Sequence, residues 1–470
     1  MAQTQIKFYY KNVTAEVIGP EHGITDSALK TLAEKTTPLI AELNRQRRAG
    51  KTPYRDLPFN SETATRVKEL ADRLKPGCDN LVVFGIGGSA LGNIALQTAL
   101  NPYMYNLDPA QRKGPRLFVF DNVDPVQLTS FFDWLGDDGL QRTVFNVISK
   151  SGETAETAGQ FMFVRQLILD KLGRQALQNL VVATTDSQKG TLRKIAQDAG
   201  FQCLDIPDGV GGRFSVLSAV GLFSASLCGI DIDELLAGAA DMDTRVSCED
   251  FDKNPAAVNA AINYYFYNHG KRISVMMPYC YALKDLADWY RQLWAESLGK
   301  AKDLSGNDVH IGPLPVRALG ATDQHSQMQL YREGPNDKLF TFLQVGDFER
   351  KLKIGAAPDS APVLKYLENA DFSDLLNSEK SATEYALLLD KRPCLTVFFD
   401  RVDAYTLGQF IYLYEVTTSF AGALFEINPY DQPAVELGKK ATFALMGRTG
   451  YEELAGRMQS VTEIDKRFLL

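Results

Sequence analysis

The stretch Val144-Phe145-Asn146-Val147-Ile148-Ser149-Lys150-Ser151-Gly152-Glu153-Thr154 decides the fold. A short, almost unbroken apolar run turns abruptly into hydroxyls, an ammonium and a glycine, and a helical pattern follows over residues 154–172. A strand that is apolar on both faces belongs in a parallel sheet with helices on each side. The pattern repeats on either side of this stretch. Leu81-Val82-Val83-Phe84 ends in Gly85-Ile86-Gly87-Gly88-Ser89, and Leu117-Phe118-Val119-Phe120 precedes Asp124-Pro125, a helix start with Asp as cap and Pro in the first turn. Residues 180–184 and 201–204 supply two more strands with a helix between them.

The alternation resumes after His269. Strands are expected at 273–277, 339–343 and 395–399, with helices over 282–298 and 404–418. The first sixty residues read as helical: one helix over 25–48, and a second to Leu74 that starts near Ser61, whose hydroxyl is expected to cap it. The expectation is α/β: two αβα sandwiches with parallel sheets, plus helical N- and C-terminal segments. The boundaries fall at residues 1–75, 76–240, 260–430 and 431–470, with the join of the sandwiches between 230 and 269.

A chain of 470 residues, 45% hydrophobic, has material for two or three cored domains. The net charge of −8, without a run of either sign, excludes a phosphate-neutralising nucleic-acid surface and a cationic membrane anchor. No stretch is apolar enough to span a bilayer, and residues 1–13 lack the apolar centre of a signal peptide. Six scattered cysteines with no CxxC pair point to reduced thiols. Four histidines, none at ligand spacing, argue against a metal site. A cytoplasmic protein without metal or cofactor is expected, with no nucleic-acid or membrane partner.

Loops that follow such strands are where ligands bind. In the first, Gly88 and Ser89 sit where glycines let the backbone approach an anion. A dinucleotide reading fails there. Ala90 stands where the third glycine of the fingerprint belongs, and Asp121 is poorly placed as the ribose-binding acid. In the second, Ser149, Lys150, Ser151 and Thr154 gather donors and positive charge at a helix N-terminus, a setting for a phosphate dianion; capping alone needs one hydroxyl. Spacing alone makes Arg213, after Gly211-Gly212, a surface arginine in a helix cap. It makes Glu296, off the apolar stripe of its helix, a solvated carboxylate, and Lys439 a solvated lysine. His325, in Asp323-Gln324-His325-Ser326, reads as structural. Gly438 shares a stripe with Val435, Thr442 and Leu445 and is expected to pack closely.

Taken in order, these motifs resemble the glucose-6-phosphate isomerase family over residues 82–439. Ser149 to Thr154 is similar to the loop of sugar isomerase (SIS) domains in general. Gly-Gly-Arg-Phe-Ser, Glu-Ser-Leu-Gly-Lys, Asp-Gln-His-Ser and Asp-Gln-Pro-Ala-Val-Glu-Leu-Gly-Lys are similar to this isomerase in particular, and the length to its shorter bacterial form. The resemblance implies two SIS domains in a homodimer and reversible isomerisation of glucose 6-phosphate and fructose 6-phosphate, a step of glycolysis and gluconeogenesis. It implies Glu296 as the base moving a proton between C1 and C2 and His325 as the ring-opening histidine. Lys439 would stand near the ring oxygen with Gln432 beside it, and Arg213 would steady the enediolate. Ser149, Lys150, Ser151 and Thr154 would cradle the phosphate, while Gly88, Ser89 and Gly212 line the sugar. It further implies that the histidine reaches into the partner's site. Ala434 and Leu298 stand where the family often has Gly and Asn. The rival readings are an isomerase that also accepts mannose 6-phosphate and a non-catalytic sugar-phosphate-binding regulator.

Overall fold

The computed structural model describes residues 4–470, apart from the side chains of residues 459, 460 and 462. β1 (Ile6–Tyr9) comes first. β2 (Asn80–Phe84), β3 (Arg116–Phe120), β4 (Thr143–Ile148), β5 (Val181–Asp186) and β6 (Gln202–Ile206) form a wholly parallel sheet in the order β3-β2-β4-β5-β6. β7 (Ile273–Pro278), β8 (Lys300–Lys302), β9 (Asp308–Ile311), β10 (Leu314–Arg317), β11 (Lys338–Val345) and β12 (Cys394–Phe399) follow. The second sheet has the order β1-β12-β11-β7-β10, and β8 pairs with β9 as a separate ribbon. The helices include α1 (Asp26–Arg48), α2 (Ala155–Leu180), α3 (Ile232–Val246), α4 (Lys284–Leu298), α5 (Ala404–Leu424) and α6 (Val435–Leu445).

The expected α/β architecture is present. Every residue of β2 and β4 is buried, as strands covered on both faces must be. α5 is buried over almost its whole length, so its apolar residues run all the way round instead of along a stripe. α3 lies against it at a spacing that side chains forbid. A Cβ on Gly238 would stand 1.9 Å from the Tyr405 carbonyl oxygen, and one on Gly408 1.9 Å from that of Leu235. Among the described residues, no helix is long and apolar enough to cross a membrane.

Several expectations need correction. The N-terminal segment is not only helical: Ile6–Tyr9 adds an antiparallel edge strand to the second sheet, with Ile6 opposite Phe399. Residues 1–3 of that segment lie outside the described residues. Buried Arg55 then ties the segment to the core, donating to Asp243 of α3 at 3.1 Å while the Tyr412 hydroxyl of α5 donates to the same carboxylate at 2.6 Å. Asn60, not Ser61, caps the helix Ser61–Leu74, accepting from the Thr63 N–H at 2.9 Å. The helix expected to stop at Leu172 resumes to Leu180 across Gly173, whose φ of 82° breaks the helical path where the sequence pattern fades. Gly438 is not closely packed; a Cβ there would meet nothing within 4 Å.

Gly408→Ala should therefore lower the thermal midpoint, by the equivalent of about 1–3 kcal/mol for an overpacked contact. Gly438→Ala should leave it unchanged or raise it slightly, because alanine is the better helix former. Paired melting curves followed by circular dichroism check both.

Candidate functional site

β2 is followed by β3 on one side and flanked by β4 on the other, so the connections leaving β2 and β4 diverge. A crevice opens beyond the carboxyl ends of strands at such a point. The two loops singled out in the sequence begin there: residues 85–89 after β2 and residues 149–154 after β4. A third, leading to Arg213, leaves β6.

These loops touch. A Cβ on Gly88 would lie 2.1 Å from the Gly212 carbonyl carbon, so the two backbones meet with no side chain between them. The Lys150 ammonium donates to the Val210 carbonyl at 3.3 Å, joining the second loop to the third. Within the second loop, Ser149 Oγ accepts from the Gly152 N–H at 3.0 Å and Ser151 Oγ from that of Glu153 at 3.1 Å. Thr154, the residue before α2, does not cap it; its hydroxyl meets Ser149 Oγ at 3.2 Å. The first N–H groups of α2 thus receive no hydroxyl from Thr154, and the positive end of the helix dipole stays available to an anion. The bland capping reading does not account for this loop.

Arg213 is where the surface-cap expectation fails most plainly. It is 3% exposed. A guanidinium has five N–H donors, and five hydrogen bonds leave it. Nε donates to Ser297 Oγ (2.7 Å); Nη1 donates to Gln432 Oε1 (2.8 Å) and Glu296 Oε2 (3.5 Å); Nη2 donates to the carbonyls of Pro429 (2.6 Å) and Asp431 (3.1 Å). Burial pushes its pKa down, and the Glu296 and Asp431 carboxylates oppose that shift. One side chain from the first sandwich thereby fixes the end of α4 and the loop 428–433 that precedes α6.

Glu296, on the last turn of α4, is neither on the apolar face nor fully solvated. Its side chain is 33% exposed, with Oε2 toward Arg213 and Oε1 accepting from Gln292 Nε2 at 3.3 Å. Gln292 in turn abuts Gly87, where a Cβ would stand 2.8 Å from its Nε2. Half-buried Ser89 completes the first loop. The structure thus brings together Gly88, Ser89, Gly212, Arg213, Glu296 and Gln432, with Ser149 to Thr154 on the adjoining strand end.

Two expected residues are not part of this cluster. His325 is exposed, on the 3-10 turn Thr322–His325, and its side chain has no hydrogen bond or ion pair among the described residues. Its neighbours hold the turn: Asp323 accepts from the Leu319 N–H and the Ser326 hydroxyl, and Gln324 donates to the Tyr279 hydroxyl. That corrects the structural reading of the histidine, since the structural work falls to Asp323 and Gln324. Lys439 is exposed on α6 and pairs with Glu436 at 2.7 Å. One member of the cluster goes unread in the sequence: Lys300, buried at the end of α4. Its position directly after the Gly299 that stops the helix is the available signal.

A family model described as phosphoglucose isomerase matches residues 58–350 and 365–463. The chain belongs to the phosphoglucose isomerase family. All the site residues named above lie within those two matched stretches. Among relatives, the glucose-6-phosphate isomerase of Carboxydothermus hydrogenoformans is 41% identical over 469 residues, covering 99% of each chain. That of Rubrobacter xylanophilus is 40% identical, over 95% of this chain and 99% of its own. A hypothetical protein from Thermus thermophilus has a similar solved structure, with a TM-score of 0.82 at 30% identity over 94% of this chain and all of its own. A glucose-6-phosphate isomerase from Chlamydia trachomatis shares the fold at a TM-score of 0.75 and 21% identity, over 97% of this chain and 92% of its own.

In this family member, Arg213→Lys should not be conservative. An ammonium keeps at most three donors, and each lost charged hydrogen bond is worth about 1.5–3 kcal/mol. Residues 428–433 should exchange their amide hydrogens markedly faster in the variant while β2 and β4 keep their protection. Hydrogen-exchange mass spectrometry reads both regions.

Proposed function

We propose that this chain is a glucose-6-phosphate isomerase, interconverting glucose 6-phosphate and fructose 6-phosphate by moving a proton between C1 and C2. The observation that carries the reading is the partly exposed Glu296 carboxylate facing the buried Arg213 guanidinium at the rim of the cleft. Abstracting a proton next to a carbonyl needs a carboxylate within reach of the carbon, and Glu296 supplies it. The enediolate that forms is anionic, and Arg213 offers fixed positive charge that need not reorganise. Ser149, Lys150, Ser151 and Thr154 hold the phosphate, whose binding energy orients the reacting carbons. Gly88, Ser89 and Gly212 line the sugar. Gln432 stands beside the ring oxygen, while Lys439 and His325 assist ring opening.

The active unit is a homodimer in the cytoplasm, with His325 of each subunit completing its partner's site. An exposed histidine whose side chain has no hydrogen bond or ion pair among the described residues supports that placement. In a two-fold assembly each subunit gives and receives the same element.

Glu296→Gln should lower turnover by about 10²–10⁴-fold or more while affinity for a sugar-phosphate inhibitor is kept. Solvent tritium exchange into fructose 6-phosphate is the assay, and wild-type exchange in the variant would remove Glu296 from its role. The same incubation with the parent protein shows whether glucose 6-phosphate forms alone, together with mannose 6-phosphate, or not at all.

Complementation tests the shared site. Glu296→Gln and His325→Ala should each be nearly inactive. Refolded together in equal amounts, they pair at random, about half the molecules being mixed dimers with one intact site, so activity returns to roughly a quarter of wild type per subunit. If both residues serve one subunit's site, mixing restores nothing. Each variant refolded alone is the control.

A further inference from the structure

Lys300 is 8% exposed, a rare setting for a lysine. It directly follows Gly299, where α4 ends. Its ammonium has three N–H donors and no acceptor, and all three go to main-chain carbonyls: Glu296 at 2.7 Å, Ser297 at 3.0 Å and Asp431 at 3.0 Å. The first two belong to the last turn of α4, where carbonyls lack helical partners and carry the negative end of the dipole. The third belongs to the loop 428–433. The Asp431 carbonyl also accepts from Arg213 Nη2 at 3.1 Å, so two cations hold one oxygen.

These contacts close a circuit. From the α4 carbonyls it runs through Lys300 to Asp431, from Asp431 to Arg213, and from Arg213 back to the Ser297 hydroxyl and the Glu296 carboxylate. Gln432 hangs on the same circuit through Arg213. With its donors spent and its head out of solvent, Lys300 has nothing left to offer a sugar. We propose that Lys300 is a positioning residue for the reaction: it holds the end of the helix carrying Glu296 against the loop carrying Gln432 and so sets the Glu296–Arg213 geometry. This rests on the roles proposed above for Glu296 and Arg213.

The charged groups facing Lys300 are Arg213, Asp431 and Glu296. Burial, then the Arg213 charge, depresses its pKa below that of an ordinary lysine, against the two carboxylates. The competent form is the ammonium. As pH rises through this depressed value the head loses one of its three donors, so the circuit opens and turnover falls on the alkaline side. Arginine at this position does not titrate there.

The test is steady-state kinetics on fructose 6-phosphate, with sites counted by a tight sugar-phosphate inhibitor. Lys300→Met keeps the length and removes every donor. A displacement of about 1 Å at reacting groups costs up to about 10²-fold, so kcat per site should fall at least about tenfold. KM should stay within about threefold, because the phosphate loop 149–154 is not on the circuit. Lys300→Arg should recover part of kcat and move the alkaline limb of kcat to higher pH. Wild-type kcat per site in Lys300→Met, or a rise in KM alone, overturns the proposal. So does a loss confined to the melting temperature, which is what a merely structural lysine would show. Should Lys300→Met fail to fold, Lys300→Gln is read in the same way. Should both fail, the pH profile of Lys300→Arg decides, and an unmoved alkaline limb overturns the proposal. Glu296→Gln run alongside separates the two ideas: inactive Glu296→Gln with fully active Lys300→Met rejects this inference alone, whereas active Glu296→Gln rejects the role of Glu296.

Discussion

A guanidinium taken out of water must find partners for all its N–H groups, and Arg213 finds them on two separate pieces of chain. The cost of burying that charge falls steeply only when every donor is matched. This requirement ties the first sandwich, which supplies Arg213 after β6, to the last turn of α4 and to the loop before α6. Beside this closure the backbones of Gly88 and Gly212 meet with no side chain between them, so the first loop lies directly against the one that carries Arg213. The cleft is therefore shaped by polar matching in its wall as much as by the apolar sheets beneath it.

Much of this architecture can be read from the residues. β2, β4, β11 and β12 announce themselves as short apolar runs, because a strand covered on both faces has no polar side to show. The positions of the loops at the strand ends follow from that alone. The antiparallel β1 does not announce itself. Four residues, Ile6–Tyr9, mix lysine with aromatics and carry no period strong enough to distinguish an edge strand from a helix start. The β8–β9 ribbon and β10 are missed for the same reason, with three or four residues each and few of them buried.

For the site, sequence pattern separates poorly what structure separates well. Arg213, Glu296 and Lys439 all look solvated from spacing. One is almost wholly buried, one faces a cleft, and one lies exposed beside Glu436. Periodicity reports which face of an element meets the core, but Arg213 is buried by a loop more than two hundred residues away, and no local pattern encodes that. The resemblance of the motifs to a family supplies what spacing cannot, since it compares whole constellations. Lys300 escapes even so. It lies within a quoted motif, but its work is done on main-chain oxygens, which leave no signature in side-chain identity.

The pairing of β1 with β12 also orders events in time. The strands of the first sheet, residues 80–206, are near neighbours along the chain and can associate as soon as they leave the ribosome. Residues 6–9 emerge before any of them, yet among the described residues their ladder partner is residues 396–399 alone. Through most of synthesis residues 6–9 lack that ladder, and Arg55, which can already meet Asp243, lacks the Tyr412 hydroxyl that completes its site. This early segment is among the last to be fully secured, and a chain halted short of β12 would leave residues 6–9 unpaired and open to proteases beside a complete first sheet.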